Sequence, residues 1–548
     1  MTKHIIYQVL PRLWGKGKFS DWDRKTFDYL KWLGVSAVWY TGVLRHARGK
    51  AFVKGEPGSP YAITDYYDVN PYLADDENAR MEEFESLLER THKAGLKAII
   101  DFVPNHVARD YHSYCAPEGT EDLGAGDDTS VHWRKENDFF YYPGIPFKLP
   151  SGIGEGRRKG VPHYTENPAK ASGNCFTPHP GKDDWYETVK LNYCPFHTGT
   201  WDKMYRIVRF WAAKGVDGFR CDMVELVPPP FFKWMIARIK EEFPDVIFIA
   251  EVYDRDGYRT YLEDVGFDLL YHKTGFYDTL RSVTESHLGK GARPDDGTFP
   301  PGRPTSASVL TSDWQHVGAL QDNLLNFLEN HDEQRIASDF YAGNGRNALA
   351  ALGFSLLFNR APFMLYFGQE IGERGMDAEG FSGRDGRTTI FDFWKIDSIQ
   401  RLCAGIAGQA GNDGIAVTPA AASQSVTPDP IGGLTKDEAE LLLRYRQTMT
   451  LALTEPFRSG DNYDLNWCQD YNRDEIFAFL RCDRKGAKPA AAGTPAPAVW
   501  LVLCNFSDRK QKIAVRLPDD ARAYCRRPDL PDTVSATIPA FDYITLSL

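Results

Sequence analysis

Residues 96–106 read LKAIIDFVPNH. Over 96–103 only Lys97 and Asp101 interrupt the apolar run. That is the pattern of a strand covered on both faces, as happens when helices close over a parallel sheet. Gly95 stops the helical periodicity of residues 81–93 just before the run, as a glycine past a helix end does. Working outward, residues 4–9 (HIIYQV) predict a first strand. Residues 26–33 predict an amphipathic helix ended by Gly34, and 35–40 (VSAVWY) a second strand. Downstream, helices over 201–214, 230–243 and 346–358 alternate with strands over 216–221, 246–250, 267–271, 324–328 and 362–367. Eight strands alternating with helices predict an α/β fold, the (β/α)8 barrel, with its active site at the C-terminal strand ends.

Two stretches break the alternation. Residues 107–195 are rich in Gly, Pro, Asp and aromatics and too long for a structureless loop. We read them as a small domain inserted after strand three, with the barrel formed by 1–106 and 196–454. Residues 401–433 are rich in Ala, Gly and Ser and read as a flexible excursion before a last helix over 436–453. From 455 to 548 strands are expected over 476–482, 498–505, 511–517 and 543–546 with no helices between them. They predict a C-terminal antiparallel β-sandwich, with 485–497 (KGAKPAAAGTPAP) as a loose hairpin loop.

Composition narrows the function. The 548 residues are 42% hydrophobic and 25% charged, which is ordinary for a globular protein. A net charge of -11 with no basic run excludes a nucleic-acid partner. No apolar stretch is long enough to span a membrane. The first residues lack the apolar region and cleavage site of a signal peptide, so a cytoplasmic location is expected. Nine cysteines without CxxC or Cys/His spacing predict free thiols and no zinc site. Aromatics at 13% suit the apolar face of a pyranose, although most of them fill core space.

Four segments fall at predicted strand ends: DFVPNH (101–106), GFRCD (218–222), FIAE (248–251) and FLENHD (327–332). Side chains two apart on a strand share a face, so Arg220 and Asp222 point the same way. The cation is expected to lower the Asp222 pKa and keep it ionised, as a nucleophile requires. Glu251 follows Val246-Ile-Phe-Ile-Ala250. An apolar setting near other acids is expected to raise its pKa and let it donate a proton. Two carboxyls with separated pKa values equip a chain for glycoside hydrolysis. Asp332 adds a third acid, and His106 and His331 offer neutral hydrogen-bond donors to sugar hydroxyls. A lone Arg-x-Asp on a strand is usually a salt bridge, a lone Asn-His at a strand end usually a cap, and a Glu after an apolar strand often the first solvated residue; their joint occurrence, in order, points to a site.

Together these motifs resemble the four conserved regions of the α-amylase family, glycoside hydrolase family 13, over roughly residues 4–400. The resemblance implies Asp222 as nucleophile, Glu251 as acid/base and Asp332 as transition-state stabiliser. It implies Arg220, His106, His331 and Tyr61 as residues that hold the sugar. Further echoes are Leu191-Asn192, the FGQEIG run at 367–372, and Gly383-Arg-Asp-Gly-Arg387-Thr388. Asn105 matches a calcium-ligand position, with Asp127-Asp128 and Asp183-Asp184 as further candidates for a structural calcium. No cofactor is implied for the chemistry. Two departures stand out. Glu225-Leu226 occupy positions where many relatives carry Lys-His for leaving-side sugars. Gly58, three before Tyr61, lacks the acid that walls a closed pocket in sucrose- and isomaltose-type members, which implies a more open cleft. The expected activity is retaining hydrolysis of α-1,4-glucosidic bonds in starch-type glucans or maltooligosaccharides. The alternatives are a transglycosylase or disaccharide isomerase on the same residues and, more remotely, a non-catalytic sugar-binding relative. An oligo- or polysaccharide substrate is expected; oligomeric state is not legible.

Overall fold

A computed structural model describes residues 3–153, 164–288, 305–375, 385–408, 431–483 and 497–548. Eight parallel strands close into a barrel. They are β1 (Ile5–Val9), β2 (Ala37–Tyr40), β3 (Lys97–Phe102), β4 (Gly218–Cys221), β5 (Ile247–Ala250), β6 (Leu269–Tyr271), β7 (Leu324–Phe327) and β8 (Phe363–Tyr366). Each pairs with its sequence neighbours, and β8 closes on β1 with Ile5 opposite Phe363. Every barrel strand forms where the apolar runs place it.

The strand period of two sorts the side chains. Ile6, Trp39, Ile99, Ile249, Tyr271, Leu325, Phe327 and Met364 pack together inside the barrel. Alternate residues such as Ile100, Phe102, Phe219, Cys221, Phe248 and Ala250 join the larger core under the helices. The same alternation carries Asp101, Arg220, Asp222 and Glu251 inward toward the barrel mouth, and Arg220 stands opposite Asp101 in the β3–β4 register.

The outer helices are α1 (Arg24–Leu33), α2 (Arg80–Lys93), α3 (Gly199–Ala213), α4 (Pro229–Glu242), α5 (Asp278–His287), α6 (Val309–Val317), α7 (Leu349–Leu357), α8 (Asp397–Gly408) and α9 (Lys436–Ala452). Helix α1 starts on Asp23, whose side chain accepts from Thr26 N–H, and ends at Gly34 in the left-handed region. Residues 401–408, expected to be a flexible excursion, form the end of α8, because Ile399, Leu402 and Ile406 line one buried face. Residues 409–430 and 485–496 lie outside the described residues.

Two short antiparallel ladders occupy the stretch after β3: His106–Ala108 with Thr188–Lys190, and Tyr141–Tyr142 with Ala169–Lys170. A further ladder, Leu44–His46 with Ile63–Val69, lies between β2 and α2, where no strand was expected. At the C-terminal end β9 (Asp461–Asp464), β10 (Ile476–Cys482), β11 (Val499–Asn505) and β14 (Tyr543–Ser547) form one antiparallel sheet. A second sheet contains β12 (Gln511–Arg516) and β13 (Thr533–Ile538). Leu480, Leu503, Val515 and Ile538 share one apolar core between the two sheets. The expectation of no helices here is corrected: α10 (Asp519–Tyr524) follows Pro518 and opens on two acidic residues, which suit a helix N-terminus. Strands β9 and β13 were also not read.

Candidate active site

The site is organised around Arg220. Its side chain is fully buried on β4, with the rings of Trp39, Tyr61 and Tyr271 at 5.5, 5.4 and 5.5 Å from its Cζ. Nη1 donates to Asp222 Oδ1 at 2.6 Å and lies 3.7 Å from Asp101 Oδ1. Nη2 lies 2.8 Å from Glu251 Oε2. The backbone extends the ladder past the strand ends, with Asp222 N–H on Phe102 O and Glu251 N–H on Cys221 O. Adjacent strands therefore deliver two carboxyls to the two ends of one guanidinium.

Burial acts on all the acids. Asp222 was expected to lie below the usual carboxylate range; it lies above it. Its burial outweighs the Arg220 charge, although Arg220 and a hydrogen bond with Glu251 both oppose the rise. Glu251 is raised, as expected, by burial and by the Asp222 carboxylate; Arg220, the Tyr253 hydroxyl and the Met223 N–H pull the other way. Burial pushes Asp101 up to about 7 against the pull of Arg220. Asp332, whose side chain is 43% exposed at the cavity, is raised by partial desolvation and by Glu251.

Tyr61, His106 and His331 line the same cavity of about 240 Å³ as Asp222, Glu251 and Asp332. The Tyr61 and His331 rings stack at 5.3 Å. Tyr61 Oη meets His331 Nε2 at 2.5 Å, and Gln8 Nε2 meets Nδ1 at 2.8 Å. With Gln8 donating to Nδ1, the neutral ring carries its proton on Nε2, 3.2 Å from Asp332 Oδ2. Burial drives His331 well below its ordinary pKa, and burial with Lys190 lowers His106 to about 3. Both are neutral imidazoles.

Asn105 tests the calcium expectation. Its Oδ1 accepts from Lys190 Nζ at 2.7 Å, and its Nδ2 donates to Gly173 O. An ammonium stands against the oxygen that calcium would use. Asp127 is engaged by the N–H groups of Asp138 and Phe139 and by Tyr141 Oη, Asp128 by Ser130 and Arg134, and Asp184 by Gly181 N–H. Calcium takes 6–8 oxygen ligands. These residues do not fit a calcium ion at Asn105.

A family model for the α-amylase catalytic domain matches residues 24–413. The chain belongs to the α-amylase family. It is 27% identical to an α-1,4-glucan:maltose-1-phosphate maltosyltransferase of Cereibacter sphaeroides over 53% of this chain and 44% of that one. It is 23% identical to α-amylase 3 of Dictyoglomus thermophilum over 68% of this chain and 64% of that protein. The chain thus spans less than half the length of the maltosyltransferase. Among solved structures, the maltogenic α-amylase AmyB of Thermotoga neapolitana superposes with a TM-score of 0.58 at 18% identity, covering 100% of this chain and 96% of that one. The cyclic α-maltosyl-(1→6)-maltose hydrolase of Arthrobacter globiformis gives 0.61 at 16% identity, covering 100% and 98%. These likenesses show the shared fold, a (β/α)8 barrel followed by β-structure.

Both departures of this α-amylase-family chain have a structural cause. A Cβ on Gly58 would lie 2.0 Å from Ala47 O, and its φ is 79°, so no side chain fits there. Glu225 takes the N–H groups of Tyr253 and Asp254 on Oε2 and Oε1 at 3.0 and 2.9 Å. Tyr253, which sequence reading missed, donates to Glu251 Oε1 at 2.5 Å. Its signal was present: it stands two residues past Glu251, on the same side of an extended chain. Asp101 was quoted but given no role. Arg387, one of the echoes, donates Nε to the Asp332 carbonyl at 2.5 Å and braces that acid's backbone.

Proposed function

We propose that this chain is a retaining α-glycosidase that cleaves α-1,4-glucosidic bonds in starch-type glucans or maltooligosaccharides. Asp222 attacks C1 while Glu251 protonates the leaving oxygen. Asp332 hydrogen-bonds the sugar hydroxyls more strongly as the ring flattens, and Arg220, His106, His331 and Tyr61 hold that sugar. Water then resolves the intermediate with Glu251 as base. The steps use only side chains and water. The same reading takes 1–106 and 196–454 as the catalytic barrel, 107–195 as an inserted domain and 455–548 as a C-terminal β-sandwich.

The grip of one guanidinium on both Asp222 and Glu251 carries this reading. It supports the close spacing of retaining enzymes, about 5–5.5 Å, over the roughly 6.5–9.5 Å that leaves room for a water. The influences on Asp222 other than burial favour its charge, and that charge in turn raises Glu251. Asp222 therefore ionises first and Glu251 keeps the proton. A fluorinated glycosyl fluoride should leave a covalent sugar on Asp222, detected by peptide mass spectrometry. A label on another residue would overturn the assignment. Products from maltoheptaose, pullulan and trehalose then fix the linkage.

The maltosyltransferase relatives favour a second reading, in which a sugar replaces water as acceptor. Longer oligosaccharides accumulating at high maltose would select it.

A further inference from the structure

We propose that Tyr253 is a positioning residue for the proton-carrying oxygen of Glu251, and that Glu225 holds Tyr253 in place from the turn after the nucleophile. This rests on the reading of Glu251 as acid/base. Glu251 Oε2 receives the Met223 N–H at 2.8 Å and faces Arg220 Nη2 at 2.8 Å. With the Met223 N–H donating to Oε2 and the Arg220 cation beside it, the acid proton belongs on Oε1, the oxygen that Tyr253 touches at 2.5 Å. A charged carboxylate only accepts, so the phenol donates to it; in the protonated state the phenol oxygen can accept instead.

The turn that builds this cradle is unusual. Met223, next after Asp222, has φ 46° and opens the short helical turn Val224–Leu226. A non-glycine residue there is strained, yet the conformation aims its N–H at Glu251 and places Glu225 under the Tyr253–Asp254 backbone. The phenol, its pKa raised by burial and by Glu251, stays protonated at every working pH. Proton accounting gives Tyr253 its part. The Oε1 proton moves to the glycosidic oxygen as the C1–O bond breaks and Asp222 Oδ2 bonds C1, Oδ1 being held by Arg220. Oε1 becomes anionic and the Tyr253 hydrogen bond strengthens. In the second half the water oxygen bonds C1 as the C1–Oδ2 bond breaks and returns Asp222 as a carboxylate, and Oε1 takes the proton from that water. The groups facing Glu251 from the surrounding strands are Arg220 and Asp222, His106, Tyr271 and Asp332; Tyr253 lies on its own loop.

The test compares Tyr253→Phe, Glu225→Ala and Glu251→Gln on maltoheptaose and on a 2,4-dinitrophenyl α-maltooligoside, whose leaving group needs no proton. Tyr253→Phe should lower kcat on maltoheptaose by about ten- to a hundredfold with little change in KM, and less on the aryl substrate. Removing a donor that favours charged Glu251 should move the alkaline limb of kcat/KM upward by about half a pH unit or more. Glu225→Ala should shift the limb the same way by less, and it reads the effect if Tyr253→Phe fails to fold. An unmoved limb with equal losses on both substrates would overturn the inference while Glu251→Gln still abolishes maltoheptaose cleavage. If Glu251→Gln cleaves maltoheptaose normally, the reading of the site fails instead.

Discussion

Replacing Arg220 with Met should destabilise the barrel at pH 8 and largely spare it at pH 5. Met keeps much of the stem's packing but removes the cation from a fully buried position. Asp222 loses a partner at 2.6 Å, Glu251 one at 2.8 Å and Asp101 one at 3.7 Å. Breaking a buried ion pair from one side costs roughly 3–5 kcal/mol. For a unit the size of residues 24–413, an unfolding entropy of about 0.8 kcal/mol/K makes that roughly 4–6 °C in Tm. The pH dependence follows from the carboxyls. Asp222, Glu251 and Asp101 are raised even with Arg220 present, and Arg220 lowers each of them, so its removal raises them further. A carboxyl whose folded pKa exceeds its unfolded value leaves the native state holding more protons, so stability falls as pH rises between the two values. One extra proton held between pH 5 and pH 8 is worth up to about 4 kcal/mol. Thermal unfolding of both proteins at pH 5 and pH 8 should therefore show a gap of several degrees at pH 8 that largely closes at pH 5. An equal gap at both pH values, or none at pH 8, would refute the account of Arg220 as the counter-charge of this cluster.

Three other outcomes are expected. Asp222→Asn should cut maltoheptaose turnover by at least about a thousandfold, and near-wild-type turnover would overturn its assignment as nucleophile. Chelation should leave Tm unchanged, whereas Lys190→Met, which strands the buried Asn105 oxygen, should cost about 1–3 kcal/mol in denaturant unfolding; calcium stabilising the wild-type chain strongly would show that the ammonium does not replace it. Gly58→Asp should destabilise by more than about 2 kcal/mol, since its Cβ would meet Ala47 O at 2.0 Å; a folded, unaltered variant would show the loop to be adaptable.

The barrel was legible because its signal is local. Runs such as 96–103 are apolar on both strand faces, and each ends in polar residues that an apolar interior would not accept. Where the fold departed from expectation, the signal was mixed. In β13, Thr533–Ile538 alternates exposed and buried residues over a weakly apolar sequence, and the Leu44–His46 ladder is three residues with irregular register. Helix α8 was obscured by its neighbours, because Ala-, Gly- and Ser-rich composition over 401–433 outweighed the i, i+3, i+7 spacing of Ile399, Leu402 and Ile406.

The site was legible as residues but not as electrostatics. Reading Arg220 and Asp222 as one face of a strand placed them correctly, yet it gave the wrong sign for the Asp222 shift. A sequence shows a neighbouring charge but not how completely water is excluded, and here burial outweighs the cation. The contact at Asn105 was hidden for a different reason. Lys190 lies 85 positions away, and its ammonium reaches Asn105 only because Thr188–Lys190 pairs with His106–Ala108. That pairing also brings a positive charge beside His106, which lowers its pKa along with burial. The lysine thus does two things at once: it fastens the segment after β3 to the end of that strand, and it helps keep a cavity-lining imidazole neutral. A neutral replacement should do neither, so Lys190→Met should raise the His106 pKa, measurable by NMR titration, as well as lower stability. Loss of stability with an unmoved His106 would separate the two effects and confine Lys190 to fastening.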